Sequence, residues 1–203
     1  MTDNYSGADL VFSHNEFGVS PDFCKTIITC TSVQPVNTLP CQDLDENGDV
    51  VWNFGPSDYE TVAPGTYVFT YEVGIDGLPS SNKQFTVTIT LTDPCNPPVS
   101  LTPISIENQR YTITDYAEIF EHDDVIATPS HCPVRYEYII PESAGSITHT
   151  DKEFNIYFAE NLSLVGQTIT VSVVAVSESR YDTTTTKQVT SNFDVTYRNP
   201  CFD

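Results

Sequence analysis

Positive charge is scarce in this chain. Eight Lys and Arg stand against 28 Asp and Glu, a formal charge of −20. A nucleic-acid partner needs clustered cations to displace counterions from its phosphates, and an anionic membrane surface attracts only a basic face. Both are excluded as partners, whereas solubility, self-repulsion and divalent cations fit the acidity. Long apolar runs are missing too. No stretch approaches the roughly 18–20 apolar residues of a membrane-spanning helix, so membrane insertion is not expected. Nothing reads as a long amphipathic helix, and residues 116–124 have room for one short turn. The cysteines never form a CxxC pair, which argues against zinc and redox motifs. GxSxG and a Cys-His signature are likewise absent, so the chain is not expected to be an enzyme. Its start, Met1-Thr2-Asp3-Asn4-Tyr5-Ser6, has neither a basic n-region nor an apolar h-region. A secreted protein with that start reads as a mature or excised piece of a longer one.

What is present is alternation. Tyr67, Phe69, Tyr71 and Val73 alternate with Val68, Thr70 and Glu72. Phe85, Val87, Ile89 and Leu91 alternate with threonines, and Ile169, Val171, Val173 and Ala175 with Thr170, Ser172 and Val174. Period two in β-branched and aromatic residues predicts strands with one buried face. Gly74, Gly77 and Pro79 close one run, and residues 177–186 close another. Most of the tyrosines fall at alternating strand positions and read as core.

The chain also matches itself. Ser20-Pro21-Asp22-Phe23-Cys24 corresponds to Thr128-Pro129-Ser130-His131-Cys132. Val50, Trp52 and Phe54 correspond to Phe154, Ile156 and Phe158, and Phe85-Thr86-Val87-Thr88 to Phe193-Asp194-Val195-Thr196. Asp93-Pro94-Cys95 corresponds to Asn199-Pro200-Cys201. Order and spacing hold throughout, so the expectation is two tandem modules, 1–95 and 96–203. Each is an immunoglobulin-like antiparallel β-sandwich, and the fold class is all-β. Prolines 94, 97 and 98 make the join short and stiff, so the expected pair is a rod. If Thr2-Asp3 corresponds to Thr114-Asp115, module 1 lacks the equivalent of 96–113, including a strand over 100–106. That strand is then missing or donated by a neighbour.

Six separated cysteines, an even number, predict disulfides and an oxidising, extracellular compartment. The repeat pairs Cys24 with Cys132, and Cys95 with Cys201, as equivalents. Cys95 opens module 2 ahead of Cys132, so these two are expected to bond. Cys30 and Cys41 have no counterparts in module 2 and are expected to bond each other at the base of an acidic loop. Cys24 and Cys201 then lie at opposite ends of a rod. By equivalence, Cys201 of one copy is expected to bond Cys24 of the next, which gives head-to-tail filaments.

The stretch Pro64-Gly65-Thr66-Tyr67-Val68-Phe69-Thr70-Tyr71-Glu72-Val73, followed after a loop by Gln84-Phe85-Thr86-Val87-Thr88-Ile89-Thr90-Leu91-Thr92-Asp93, resembles the closing hairpin of hyalin-repeat and cadherin-like modules. The likeness covers about a third of each module. It implies immunoglobulin-like sandwiches in a large extracellular adhesion or cell-surface protein, and so a structural repeat unit of a filament or adhesin whose partners are copies of itself or neighbouring repeats. The alternative is a glycan- or protein-binding module whose loops, such as 116–124, meet a ligand. The full set of cadherin linker calcium ligands is absent.

Local motifs give the remaining candidates. In Asp43-Leu44-Asp45-Glu46-Asn47-Gly48-Asp49, oxygen donors at positions one, three and five with glycine at six match the front half of a calcium loop. Asp43, Asp45, Asn47 and Asp49 are the candidate ligands, and no cofactor other than calcium is expected. The rival reading is a hairpin turning at Asn47-Gly48, favoured by the alternation that follows at once. Asn4 and Asn161 head the sequons of a glycoprotein, and the threonine-rich faces and residues 183–186 suit O-glycans. His14, His122, His131 and His149 lack partners at a spacing that completes a known site and read as solvated loop residues.

Overall fold

The computed structural model describes residues 1–13, 26–36, 38–42, 44, 49–96, 99–113, 116–142, 146–157 and 162–201. Two units divide the chain, Met1–Pro94 and Cys95–Asp203. Their boundary falls one residue ahead of the expected one, because Cys95 is bonded to Cys132 and belongs to the second unit.

Unit 1 contains β1 (Thr2–Asp3), β2 (Asp9–Phe12), β3 (Thr26–Gln34), β4 (Val50–Asn53), β5 (Gly65–Ile75) and β6 (Leu78–Leu91). One sheet has the order β1-β6-β5-β3, and β2 pairs with β4 in the other. Aromatic residues join the sheets: Trp52 of β4 meets Phe69 of β5 with ring centroids 5.0 Å apart, and Phe12 of β2 stacks on Phe85 of β6 at 5.8 Å. Tyr67, Phe69, Tyr71, Val87, Ile89 and Leu91 all lie in the core, as alternation requires.

Unit 2 contains β7 (Ser100–Thr102), β8 (Gln109–Thr112), β9 (Glu118–Glu121), β10 (Ile126–Thr128), β11 (Val134–Ile139), β12 (Ile147–Thr150), β13 (Glu153–Ile156), β14 (Thr168–Glu178) and β15 (Thr186–Arg198). Its sheets run β11-β14-β15-β8 and β12-β13-β9, and β10 pairs with β7. Phe154 of β13 is fully buried and meets Phe193 of β15 at 5.1 Å, edge to face, among Ile156, Val171, Val173 and Val195. The strands of unit 1 recur here in the same order and pairing, with β1, β2, β3, β4, β5 and β6 answering to β8, β9, β11, β13, β14 and β15. Each unit is an immunoglobulin-like β-sandwich.

Pairing corrects the sequence reading in four places. Thr2 pairs in parallel with Thr90, and Thr112 in parallel with Arg198, the residue equivalent to Thr90. Thr2 therefore answers to Thr112 rather than Thr114, and β1 fills the place of β8. Only β7 has no counterpart among the described residues of unit 1, and it is shorter than the strand expected over 100–106. Residues 116–124 hold no helical turn: Glu118–Glu121 is strand β9, with Phe120 turned inward onto Phe154. Gly74 and Pro79 do not end their strands. The hairpin turns at Asp76-Gly77, between the paired Ile75 and Leu78, with Gly77 at φ +78° as such a two-residue turn demands. Pro79, which has no N–H to give, falls in the irregular stretch between the Ile75↔Leu78 and Val73↔Lys83 pairs, where the ladder is already interrupted.

Candidate functional site

Two disulfides frame the units. Cys95 and Cys132 are buried and bonded, with Cα atoms 5.6 Å apart, and tie the segment before β7 to the turn after β10. Cys30, in β3, is bonded to Cys41 at the same Cα separation. These are the pairs that cysteine equivalence assigns. Cys201 follows β15, is exposed, and has no disulfide partner within the chain; its N–H donates to Asn199 Oδ1 at 2.9 Å. Cys24 lies outside the described residues.

The acidic motif occupies a hairpin position. Leu44 bridges Val50 antiparallel, so the chain reverses between them. The corresponding reversal in unit 2 joins β12 to β13 through Asp151 and Lys152, with Asp151 at φ +53°. That supports the hairpin reading and leaves the carboxylates grouped around a turn. Asp49 is half-buried; Asp43, Asp45 and Asn47 lie outside the described residues.

His122 is not solvated. It is 4% exposed and held at both nitrogens. Nδ1 is 2.8 Å from the Asp123 carbonyl, which can only accept, so Nδ1 carries the proton and Nε2 accepts from the Tyr138 hydroxyl at 3.0 Å. Burial, helped by the charge of Asp151 and by Tyr136, pushes Tyr138 up to about 12, consistent with its role as donor. Tyr136 accepts from Val125 N–H at 2.8 Å and donates to Asp124 at 3.2 Å. Lys152 lies 3.2 Å from Asp124; its hydrogen bond is the main cause holding that carboxyl below the usual range. The cluster binds residues 122–125 to β11 and is structural. His149 stacks on Tyr138 at 4.2 Å and has no chelating role with Asp151 in this arrangement. His14 lies outside the described residues. Sequence reasoning missed this cluster because its parts are spread over four strands.

Among the described residues, one group of metal-binding side chains converges: Cys95, His131 and Cys132. Both sulfurs are spent on each other, so neither offers the thiolate that zinc requires. Asn4 is exposed in the turn after β1, and Asn161 lies outside the described residues. No helix among the described residues is long and apolar enough to cross a membrane.

No family profile matches the chain, and neither does any curated protein. Solved structures with a related course include human mucin-like protocadherin EC1-2, at 9% identity and a TM-score of 0.40, over 86% of this chain and 84% of that one. Mouse cadherin-23 EC22-24 follows at 13% identity and a TM-score of 0.37, over 85% of this chain and 53% of that one. An endo-fucoidan hydrolase of glycoside hydrolase family 107 is similar at 12% identity and a TM-score of 0.33, and this chain spans 27% of it. The chain thus resembles cadherin-like tandem repeats, and the sandwich assignment stands on its own strand pairing.

Proposed function

We propose that this chain is a structural repeat unit of an extracellular filament or cell-surface adhesin, joined head to tail. One observation carries the reading: Cys95 is bonded to Cys132, while Cys201, the equivalent of Cys95, is exposed and unbonded within its own chain. The equivalent of Cys132 is Cys24. A Cys201–Cys24 bond between copies repeats the unit 2 linkage at every junction, two thiols giving up two protons and two electrons to an extracellular oxidant. Such a contact is heterologous and does not close on itself. Calcium in the loop 43–49 and glycans on Asn4 and Asn161 belong to the same reading, since hard carboxylate oxygens and an exposed sequon suit them. Electron microscopy of oxidised, purified protein tests the assembly. Filaments that disperse on adding thiol are expected, and discrete particles of single-chain size under oxidising conditions contradict it. A glycan- or protein-binding module is the second reading, favoured by Tyr116, 81% exposed just ahead of β9.

A further inference from the structure

The outer strand β3 differs from its counterpart β11 in a way the shared scaffold does not require. Each is the last strand of its sheet, paired on one side only among the described residues. β11 is six residues long and carries Arg135 and Glu137, which pair with each other, and Arg135 also lies 3.6 Å from Glu178. Charges of this kind are the usual guard against another strand adding to an open edge. β3 is nine residues long, Thr26-Ile27-Ile28-Thr29-Cys30-Thr31-Ser32-Val33-Gln34, with no charge and no proline. A bulge at Thr31 breaks its ladder and leaves Thr26–Cys30 as the regular stretch, opposite Tyr71–Ile75.

Beside that stretch the sheet surface is hollowed. Ile27, Thr29, Glu72, Gly74, Leu78 and Asn82 line a shallow groove. Ile27 and Leu78 present apolar side chains there, 43% and 53% exposed. Gly74 forms the floor; a Cβ on it would collide with the Asn82 carboxamide, which donates to Glu72. Glu72 is the only charged group in the lining, and the chain carries −20 overall.

We propose that the open edge of β3 at residues 26–30 is a docking site for an extended strand of another protein, basic and apolar at alternating positions. Backbone groups of β3 supply the ladder, the apolar side chains of the incoming strand lie against Ile27 and Leu78, and its cations face Glu72. Charge selects this occupant: an acidic strand, or a second copy of this chain, meets like charge in the field of the whole molecule. The site is separate from the cysteine junctions, so either proposal can fail alone.

The test uses the full oxidised chain and a short labelled peptide alternating lysine and valine. Saturable binding is expected, with slowed hydrogen exchange confined to the amides of β3 and its groove. Ile27→Lys and Thr29→Lys, both placing charge on this edge, should each weaken binding about tenfold. Leu78→Lys, on the exposed turn side of the groove, is the second variant should the edge substitutions disturb folding, and Trp52 emission monitors that. Equal binding of an isomeric peptide with a central proline, or wild-type affinity in the variants, overturns the proposal. So does protection of β3 that rises with protein concentration in the absence of peptide, which makes a second copy the occupant.

Discussion

Cys95 and Cys132 lie 37 positions apart in sequence and 5.6 Å apart at their Cα atoms. Their bond closes a loop that contains β7 to β10, four short strands with little core of their own. Chain-entropy arithmetic for a loop of that length gives about 4 kcal/mol. The double variant Cys95→Ser/Cys132→Ser should lose roughly that much in urea denaturation of unit 2. A loss below about 1 kcal/mol would show that strand pairing alone holds the segment.

Phe154 is fully buried and touches Phe120, Tyr138 and Phe193, so it joins both sheets of unit 2 and the imidazole cluster. Truncation to alanine should cost about 3–5 kcal/mol. Denaturation followed by near-ultraviolet circular dichroism checks this, and an unchanged midpoint would mean the two sheets of unit 2 do not depend on this contact.

Alkaline pH should weaken unit 2 through Tyr138. Its hydroxyl is raised from 10.0 to about 12 in the folded state. The proton is therefore held more tightly folded than unfolded, and the associated stability is complete below pH 10 and lost as pH rises from there to about 12. Phenolate absorbance should show a late-titrating tyrosine that Tyr138→Phe removes. Titration of every tyrosine near pH 10 would contradict the buried hydrogen bond to His122.

If calcium occupies the loop 43–49, adding it should raise the melting temperature in proportion to the logarithm of its concentration, and chelation should reverse the shift. Asp43→Asn/Asp45→Asn should abolish the response. A wild-type protein indifferent to calcium and chelator leaves a plain acidic hairpin.

The parts of the fold legible in sequence were those where one face is wholly buried. β5, β6, β14 and β15 are long central strands, and their period-two pattern follows from the core beneath them. β9 was not legible, because only Phe120 of its four residues turns inward and three exposed neighbours mask the period. The parallel pairs of β1 with β6 and β8 with β15 span most of a unit, and no local pattern encodes such contacts. The register of Thr2 against Thr90 therefore had to come from the structure. His122 was misread for a related reason: its burial is made by Tyr136, Tyr138 and Phe154, all distant in sequence. The cysteine framework was legible because the repeat itself assigns partners by equivalence.

The head-to-tail claim is tested most directly by disulfide mapping. Protein purified without reductant is digested, and its peptides are identified by mass before and after reduction. A peptide joining Cys24 to Cys201 should be found, and mixing isotopically heavy and light protein before oxidation should yield heavy–light pairs, placing the bond between copies. Non-reducing electrophoresis of the same sample should show a ladder that collapses with thiol. A Cys24–Cys201 bond made only of like-labelled chains in a monomer, or both thiols free after oxidation, would contradict the filament account.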